Sequence, residues 1–268
     1  MATLEITTMV GCPVQCTFCP QDTLKAKYNG YTKYLSLDAY RLMLAKVPKH
    51  VRIDFSGMAE PWANPECTRM LQHTLERGYR VAIYTTLYGL KPQEAPTVVG
   101  LLEQYSAQVD GVVLHLQDAQ NNMRGLKFTD KWIATLNVFI NGINQGRIPK
   151  VTVMTMDASG ELHPHLKSIG VRSAPFQAID RAGSLNVNQI NGQPLHQQST
   201  MHRPISCAST PFYDHNVMMP NGDILLCCMD YSYKHKIGNL LEQSYYALFE
   251  GEALRDLMVD NMKSIPDK

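Results

Sequence analysis

The sequence predicts an α/β chain: a partial (β/α)6 TIM-like barrel followed by a small carboxyl-terminal module of a β-hairpin plus a helix. Three observations predict it. Strand-like and helix-like segments alternate six times over the first two-thirds of the chain, which argues for a parallel sheet with helices outside. Near the other end, Pro220-Asn221-Gly222 separates two strand-like runs, Tyr213 to Met219 and Asp223 to Met229, and marks a hairpin. Between these regions, Asn186 to Pro204 is rich in Asn, Gln, His and Ser, lacks periodicity and reads as a linker. The expected division is a barrel over 1–183, a linker over 184–206 and a module over 207–268.

Each barrel element has its own signal. Leu4 to Val10 reads as the first strand. Ser36 caps a helix carrying Leu37, Tyr40, Met43 and Leu44. Val51 to Phe55 alternates as the second strand, and Asn64-Pro65 reads as a cap with Pro at the first helical position. The helix behind it buries Met70, Leu71 and Leu75 and stops near Gly78; Tyr79 to Thr85 is the third strand. A helix over Thr97 to Tyr105 and a strand over Gly111 to Gln117 follow. From Thr129, Trp132, Ile133, Leu136, Phe139, Ile140 and Ile143 fall on one helical face at spacings of three and four. Pro149 to Met156 is the fifth strand, Glu161 to Ile169 a short helix and Val171 to Ile179 the sixth strand. After the hairpin, a final helix spans about Glu242 to Met258.

The chain has 268 residues, 44% of them hydrophobic, enough for a full globular core. With 25 basic and 24 acidic side chains its net charge is +1, so composition gives no attraction to nucleic acid or to anionic lipid. No apolar run approaches membrane-spanning length. Seven cysteines without a secretion signal fit a reducing, cytoplasmic setting.

Three of those cysteines, Cys12, Cys16 and Cys19, are spaced Cys-x3-Cys-x2-Cys directly after the first strand. Parallel barrels place chemistry at the carboxyl ends of their strands, where this loop falls. Zinc asks for four closed ligands, and no His or Cys follows in reach; the next cysteine is Cys67. Disulfides fit poorly with an odd cysteine count. Three thiolates in one loop suit three irons of a 4Fe-4S cluster, with the fourth iron left open.

This loop, with Phe18 just before its last cysteine, resembles the signature of the radical S-adenosylmethionine (radical SAM) enzymes, and the likeness extends along most of the chain. It implies a 4Fe-4S cluster on Cys12, Cys16 and Cys19 that cleaves S-adenosylmethionine (SAM) reductively to a 5′-deoxyadenosyl radical. Gly57-Met58-Ala59-Glu60-Pro61 stands where the family carries Gly-Gly-Glu-Pro, whose Glu meets the SAM amino group; Met58 and Ala59 replace the two glycines. By the same likeness, His115, Gln117 and Thr155 on the fourth and fifth strands are candidates for the SAM ribose. Arg181, in a segment resembling Ser-Arg-Ala-Gly, is a candidate for the adenine end or a substrate oxygen.

The tail resembles a SPASM or shortened twitch module, with Cys207 and the Gly222-x4-Cys227 pattern as candidate ligands of an auxiliary Fe-S cluster. Relatives carry one or two further cysteines after the last helix. Here none follows, which leaves truncation, a three-ligand cluster and no cluster as alternatives. Cys228, adjacent to Cys227, is expected on the opposite face of a strand and in the core, and Cys67 is read as a buried small hydrophobe. The likeness implies hydrogen abstraction from a small polar substrate, such as a sugar or aminocyclitol, with Tyr213, Asp214, His215 and Asp230 as polar candidates nearby. It also implies a low-potential electron donor such as flavodoxin or ferredoxin. Two alternatives stand beside it. One is modification of a peptide or protein side chain, against which the start of the chain at its first strand weighs mildly. The other is a non-catalytic Fe-S or zinc binding protein.

Overall fold

The computed structural model describes residues 2–28, 32–176, 181, 184–185, 189–190, 193–194 and 215–263. Five parallel strands lead: β1 (Thr3–Ile6), β2 (Arg52–Phe55), β3 (Val81–Thr85), β4 (Val109–His115) and β5 (Val151–Met154), adjacent in that order. Helices α1 (Gln21–Lys27) and α2 (Leu37–Leu44) lie between β1 and β2, α3 (Cys67–Glu76) before β3, α4 (Ala95–Gln104) before β4, and α5 (Asp130–Asn144) before β5. This is the expected alternation. The Ser36 and Thr129 caps are present, accepting from the Ala39 and Trp132 N–H groups.

Several expected elements differ. Asn64 caps the turn that leads into α3, its Oδ1 accepting from the Glu66 N–H at 2.9 Å, although the regular helix begins only at Cys67; its side-chain amide also donates to the Thr8 and Leu35 carbonyls at 2.8 and 2.7 Å and ties the loop after β2 to the loop after β1. The segment read as a short helix is a 3-10 turn over Pro164–Ile169. Of the expected sixth strand, only residues 171–176 are described, and they contribute a single bridge, Met154 to Ala174. The expected terminal helix is two, α6 (Ala247–Glu250) and α7 (Glu252–Lys263), divided at Gly251, which is extended rather than helical.

The hairpin is continuous with the barrel. After a two-stranded ribbon, β6 (Gln189–Ile190) with β7 (Gln193–Pro194), come β8 (Asn216–Met218), β9 (Asp223–Leu225) and β10 (Lys236–Asn239). β8 pairs in parallel with β1, matching Glu5 to Val217, and β9 and β10 add antiparallel strands outside it. One eight-stranded sheet results, in the order β10-β9-β8-β1-β2-β3-β4-β5.

Alternation along the strands separates two faces. Leu4, Ile6, Ile53, Phe55, Val81, Ile83, Val112 and Leu114 pack into the main core with helix residues such as Tyr40, Met70, Leu102, Leu136 and Phe139. The opposite, inner face carries Glu5, Arg52, Asp54, Tyr84 and His115. A second apolar cluster, including Leu24, Met58, Val217, Leu225 and Tyr231, joins the loop after β1 to the hairpin, with Cys19 and Cys228 against it.

Candidate active site

The loop after β1 carries Cys12, Cys16 and Cys19, all half-buried. Its shape is set by hydrogen bonds from three directions. Gln21 accepts from the Cys12 N–H at 3.0 Å, donates to the Met58 carbonyl at 2.6 Å and lies 3.4 Å from Cys19 Sγ. The Glu60 N–H donates to Cys12 Sγ at 3.3 Å. From the loop after β4, the Asn122 carbonyl accepts from the Thr17 N–H at 2.9 Å, and the Gly125 N–H donates to the Val14 carbonyl at 2.8 Å. The Gly125 backbone passes so close to Pro13 that a Cβ there would overlap the Pro13 carbonyl. Gly57, at φ +53°, permits the turn after β2; a Cβ would sit 2.6 Å from Thr7 Oγ1.

The thiols suit a cationic metal cluster. Burial pushes Cys12 up to about 12, although N–H groups of Glu60 and Val14 favour its thiolate. Burial and then the charges of Cys19 and Cys12 raise Cys16 well above the ordinary thiol range. Three thiolates this close repel one another, and an iron-sulfur core supplies the compensating positive charge. Arg181, at φ +51°, adds a nearby positive charge favouring the Cys16 thiolate.

Glu60 faces differently from the expectation that its carboxylate waits for an ammonium. One oxygen accepts from the Thr85 hydroxyl at 2.6 Å and weakly from the Trp62 N–H; the other accepts from the Thr86 N–H and hydroxyl, each at 2.7 Å. Burial raises this carboxyl to about 6 despite those donors. The carboxylate therefore locks the end of β2 to the end of β3, and the backbone of Glu60 faces Cys12. Met58 is buried, its N–H donating to Thr7 Oγ1 at 3.0 Å, and Ala59 is half-buried beside it.

The remaining candidates separate. Gln117 spends its amide on both backbone groups of Met123, holding the loop that braces the cysteines. His115 lies on the inner face, its ring centroid 6.5 Å from that of Tyr84, and burial lowers it to about 4. Thr155 is fully buried, its hydroxyl toward the Asp157 and Ala174 carbonyls. Phe18 is buried with its ring 4.9 Å from that of Phe176. Arg181 lies with its guanidinium 5.9 Å from the Tyr231 ring centroid and 3.7 Å from Met229 Sδ, between the cysteine loop and the loop after β9.

Cys227 and Cys228 follow β9 in that loop, so the opposite-face expectation does not apply: outside a strand, neighbouring side chains need not diverge. Both are half-buried, and Cys228 lies against the second apolar cluster rather than inside the core. Cys67 is buried, as expected. Cys207, Tyr213 and Asp214 lie outside the described residues.

Sequence reasoning missed the polar inner face. Arg52 holds Asp54 through two hydrogen bonds of 2.7 Å, and Glu5 accepts from Ser56 at 3.0 Å and pairs with His215 at 2.9 Å. Period-two alternation in β1 and β2 carries the signal: Glu5 and Asp54 both lie between apolar residues that face the helices. Gln21 and Tyr231, which touch the cysteine loop, have no comparable signal.

The chain has the fold of the radical SAM enzymes that carry a SPASM or twitch module. Residues 207–267 match the family model SPASM, an iron-sulfur cluster-binding domain. BtrN, solved with AdoMet and 2-DOIA, superposes with a TM-score of 0.61 at 16% identity, covering 97% of this chain and 86% of that one. anSMEcpe, solved with AdoMet and the Kp18Cys peptide, gives 0.55 at 14% identity, covering 97% and 83%. Streptococcus suis SuiB, bound to the precursor peptide SuiA, gives 0.50 at 15% identity, covering 95% and 66%. No curated protein matches the chain in sequence. Among the described residues, no helix is long and apolar enough to cross a membrane.

Proposed function

We propose that the protein is a radical SAM enzyme that abstracts hydrogen from a small polar substrate of sugar or aminocyclitol type and oxidises or otherwise modifies it. The observation that carries the reading is the three-thiol loop at the end of β1, braced by Gln21, the Glu60 backbone and the loop after β4. Cys12, Cys16 and Cys19 would hold the 4Fe-4S cluster. When bound, such a cluster supplies the electron that splits SAM, and with it a carbon radical able to take hydrogen from an unactivated C–H bond.

The chain's own residues orient and enclose. Gly57 lets the turn after β2 approach β1, and Met58, Ala59 and the Glu60 backbone line the place where the SAM methionine end would sit. His115, with Arg181 beyond it, is assigned to the nucleoside side. His115 stays neutral above about 4 and offers one donor and one acceptor at neutral pH. Gln117 and Thr155 act through the loops they hold. Cys207 and Cys227 are assigned to an auxiliary cluster within a module spanning 207–268, a boundary that the family match at 207–267 supports. The electron donor would be a low-potential flavodoxin or ferredoxin.

The inner face favours the substrate class. Glu5, Asp54, Arg52, Tyr84 and His115 bring paired donors and acceptors suited to hydroxyl and amino groups to that face. A peptide substrate is the second reading, favoured by the likeness to two structures solved with peptides. The test is SAM turnover against a panel of aminocyclitols, aminosugars and short peptides, read as substrate-dependent 5′-deoxyadenosine with a matching substrate mass change. Turnover on the polar small molecules supports the first reading, and turnover on peptides alone replaces it with the second.

A further inference from the structure

Behind the cysteine loop, three neighbouring segments of the sheet bring a carboxylate, an imidazole and a thiol together. Glu5 lies in β1. His215 directly precedes β8, the strand paired with β1. Cys228 lies three residues beyond the end of β9, which pairs with β8 through Val217 and Leu225. One ligand atom from each of the three lies within 4.8 Å of the other two. Glu5 is held within β1, and His215 and Cys228 flank β8 and β9, the strands that continue the sheet beside it.

We propose that Glu5, His215 and Cys228 form a mononuclear site for a divalent transition-metal ion, Zn2+ or Fe2+, separate from the cluster loop. Metal–ligand bonds of about 2.0–2.3 Å in a tetrahedron put ligand atoms roughly 3.3–3.8 Å apart. The Glu5–His215 contact of 2.9 Å need open only slightly, and the thiol need move inward by at most about 1.5 Å. His215 Nδ1 and Glu5 Oε1 now face each other at hydrogen-bond distance where a cation would bind, and the Cys228 thiol gives up its proton on ligation. Mixed S, N and O donors select a borderline ion over Mg2+ or Ca2+.

The geometry adds two supports. Ser56 donates to the second oxygen of Glu5 at 3.0 Å, the outer-sphere bond that orients a ligating carboxylate. His215 adopts φ +60°, an uncommon conformation for a non-glycine residue, directly before β8. Three protein ligands leave a fourth position for water or a substrate oxygen, the pattern of a catalytic rather than a closed structural site. Cys227 is left to the iron-sulfur role assigned above. The proposal does not depend on SAM chemistry.

The experiment uses the full chain with Cys12, Cys16 and Cys19 all changed to Ala, freed of metal by chelation and titrated anaerobically with Co2+. The expected result is one Co2+ per chain, with thiolate charge-transfer absorption and tetrahedral visible bands, displaced by Zn2+. Cys228→Ser and His215→Ala should each weaken binding by about 10-fold or more, and Cys227→Ala should leave it. A folded chain without thiolate absorption overturns the proposal, as does absorption lost in Cys227→Ala but kept in Cys228→Ser. Should the triple variant not fold, cobalt-edge absorption of the iron-loaded wild type decides: one sulfur with nitrogen and oxygen supports the site, and an all-oxygen shell or no bound cobalt overturns it.

Discussion

The Tyr231 hydroxyl lies 3.5 Å from Cys19 Sγ, joining the loop after β9 to the last cysteine of the loop after β1. As a thiol Cys19 donates to the phenol; as a thiolate ligand it would accept from it. A hydrogen bond to a ligand sulfur stabilises the more negative, reduced cluster. Tyr231→Phe should therefore make the potential of the cluster on Cys12, Cys16 and Cys19 more negative. A loss of about 1 kcal/mol corresponds to roughly 40 mV for one electron. Potentiometric titration followed by EPR reads the shift, and an unchanged or raised potential contradicts this role.

Gln21 tests how the cysteine loop keeps its shape. Its amide serves the Cys12 N–H and the Met58 carbonyl and reaches Cys19 Sγ, so Gln21→Leu leaves two backbone groups and a sulfur without that partner. Reconstituted Gln21→Leu should retain less than half the wild-type iron after gel filtration while its far-UV spectrum is unchanged. Full iron retention would show that the three cysteines hold their geometry unaided.

Glu60 is a structural brace with a pH signature. Glu60→Ala strands the Thr85 hydroxyl and the Thr86 N–H and hydroxyl in the interior, at a cost of about 3 kcal/mol by urea unfolding. Burial raises this carboxyl from 4.5 to about 6, so the folded state holds its proton more tightly than the unfolded chain. That contribution to stability is fully present below 4.5 and is lost as pH rises through about 6, a change of about 2 kcal/mol. Glu60→Gln should flatten the stability profile of the cluster-free protein in this window. Equal slopes for wild type and variant would rule out a raised Glu60.

Gly125 is constrained by close approach rather than by dihedral angle. A methyl group there meets the Pro13 carbonyl, and the two loops must separate. Gly125→Ala should cost about 1–3 kcal/mol by urea unfolding and lower iron incorporation as the cysteine loop shifts. A variant with wild-type stability and iron content would contradict the packing described here.

How much of this was legible in the sequence depends on the range of the interaction. The spacing of Cys12, Cys16 and Cys19, the Ser36 and Thr129 caps and the Asn221-Gly222 turn are local patterns, and the structure carries them. The Asn64 cap is local in the same way, but a cap pattern cannot reveal that the amide nitrogen of the same side chain also reaches two distant carbonyls, of Thr8 and Leu35. The pairing of β8 with β1 joins residues some two hundred positions apart and leaves no periodic trace. Strand alternation does not place Cys228, because β9 ends at Leu225. The roles of Gln21, Tyr231 and Glu5 arise only when loops from different strands meet.

The central claim is that the loop after β1 serves SAM chemistry, and one measurement addresses it most directly. Anaerobically reconstituted protein is reduced with dithionite in the presence of SAM, and 5′-deoxyadenosine is quantified for wild type and Cys16→Ala. The account predicts 5′-deoxyadenosine from wild type and none above background from Cys16→Ala. Iron-loaded wild type that forms none, alone or with any substrate of the panel, would contradict it.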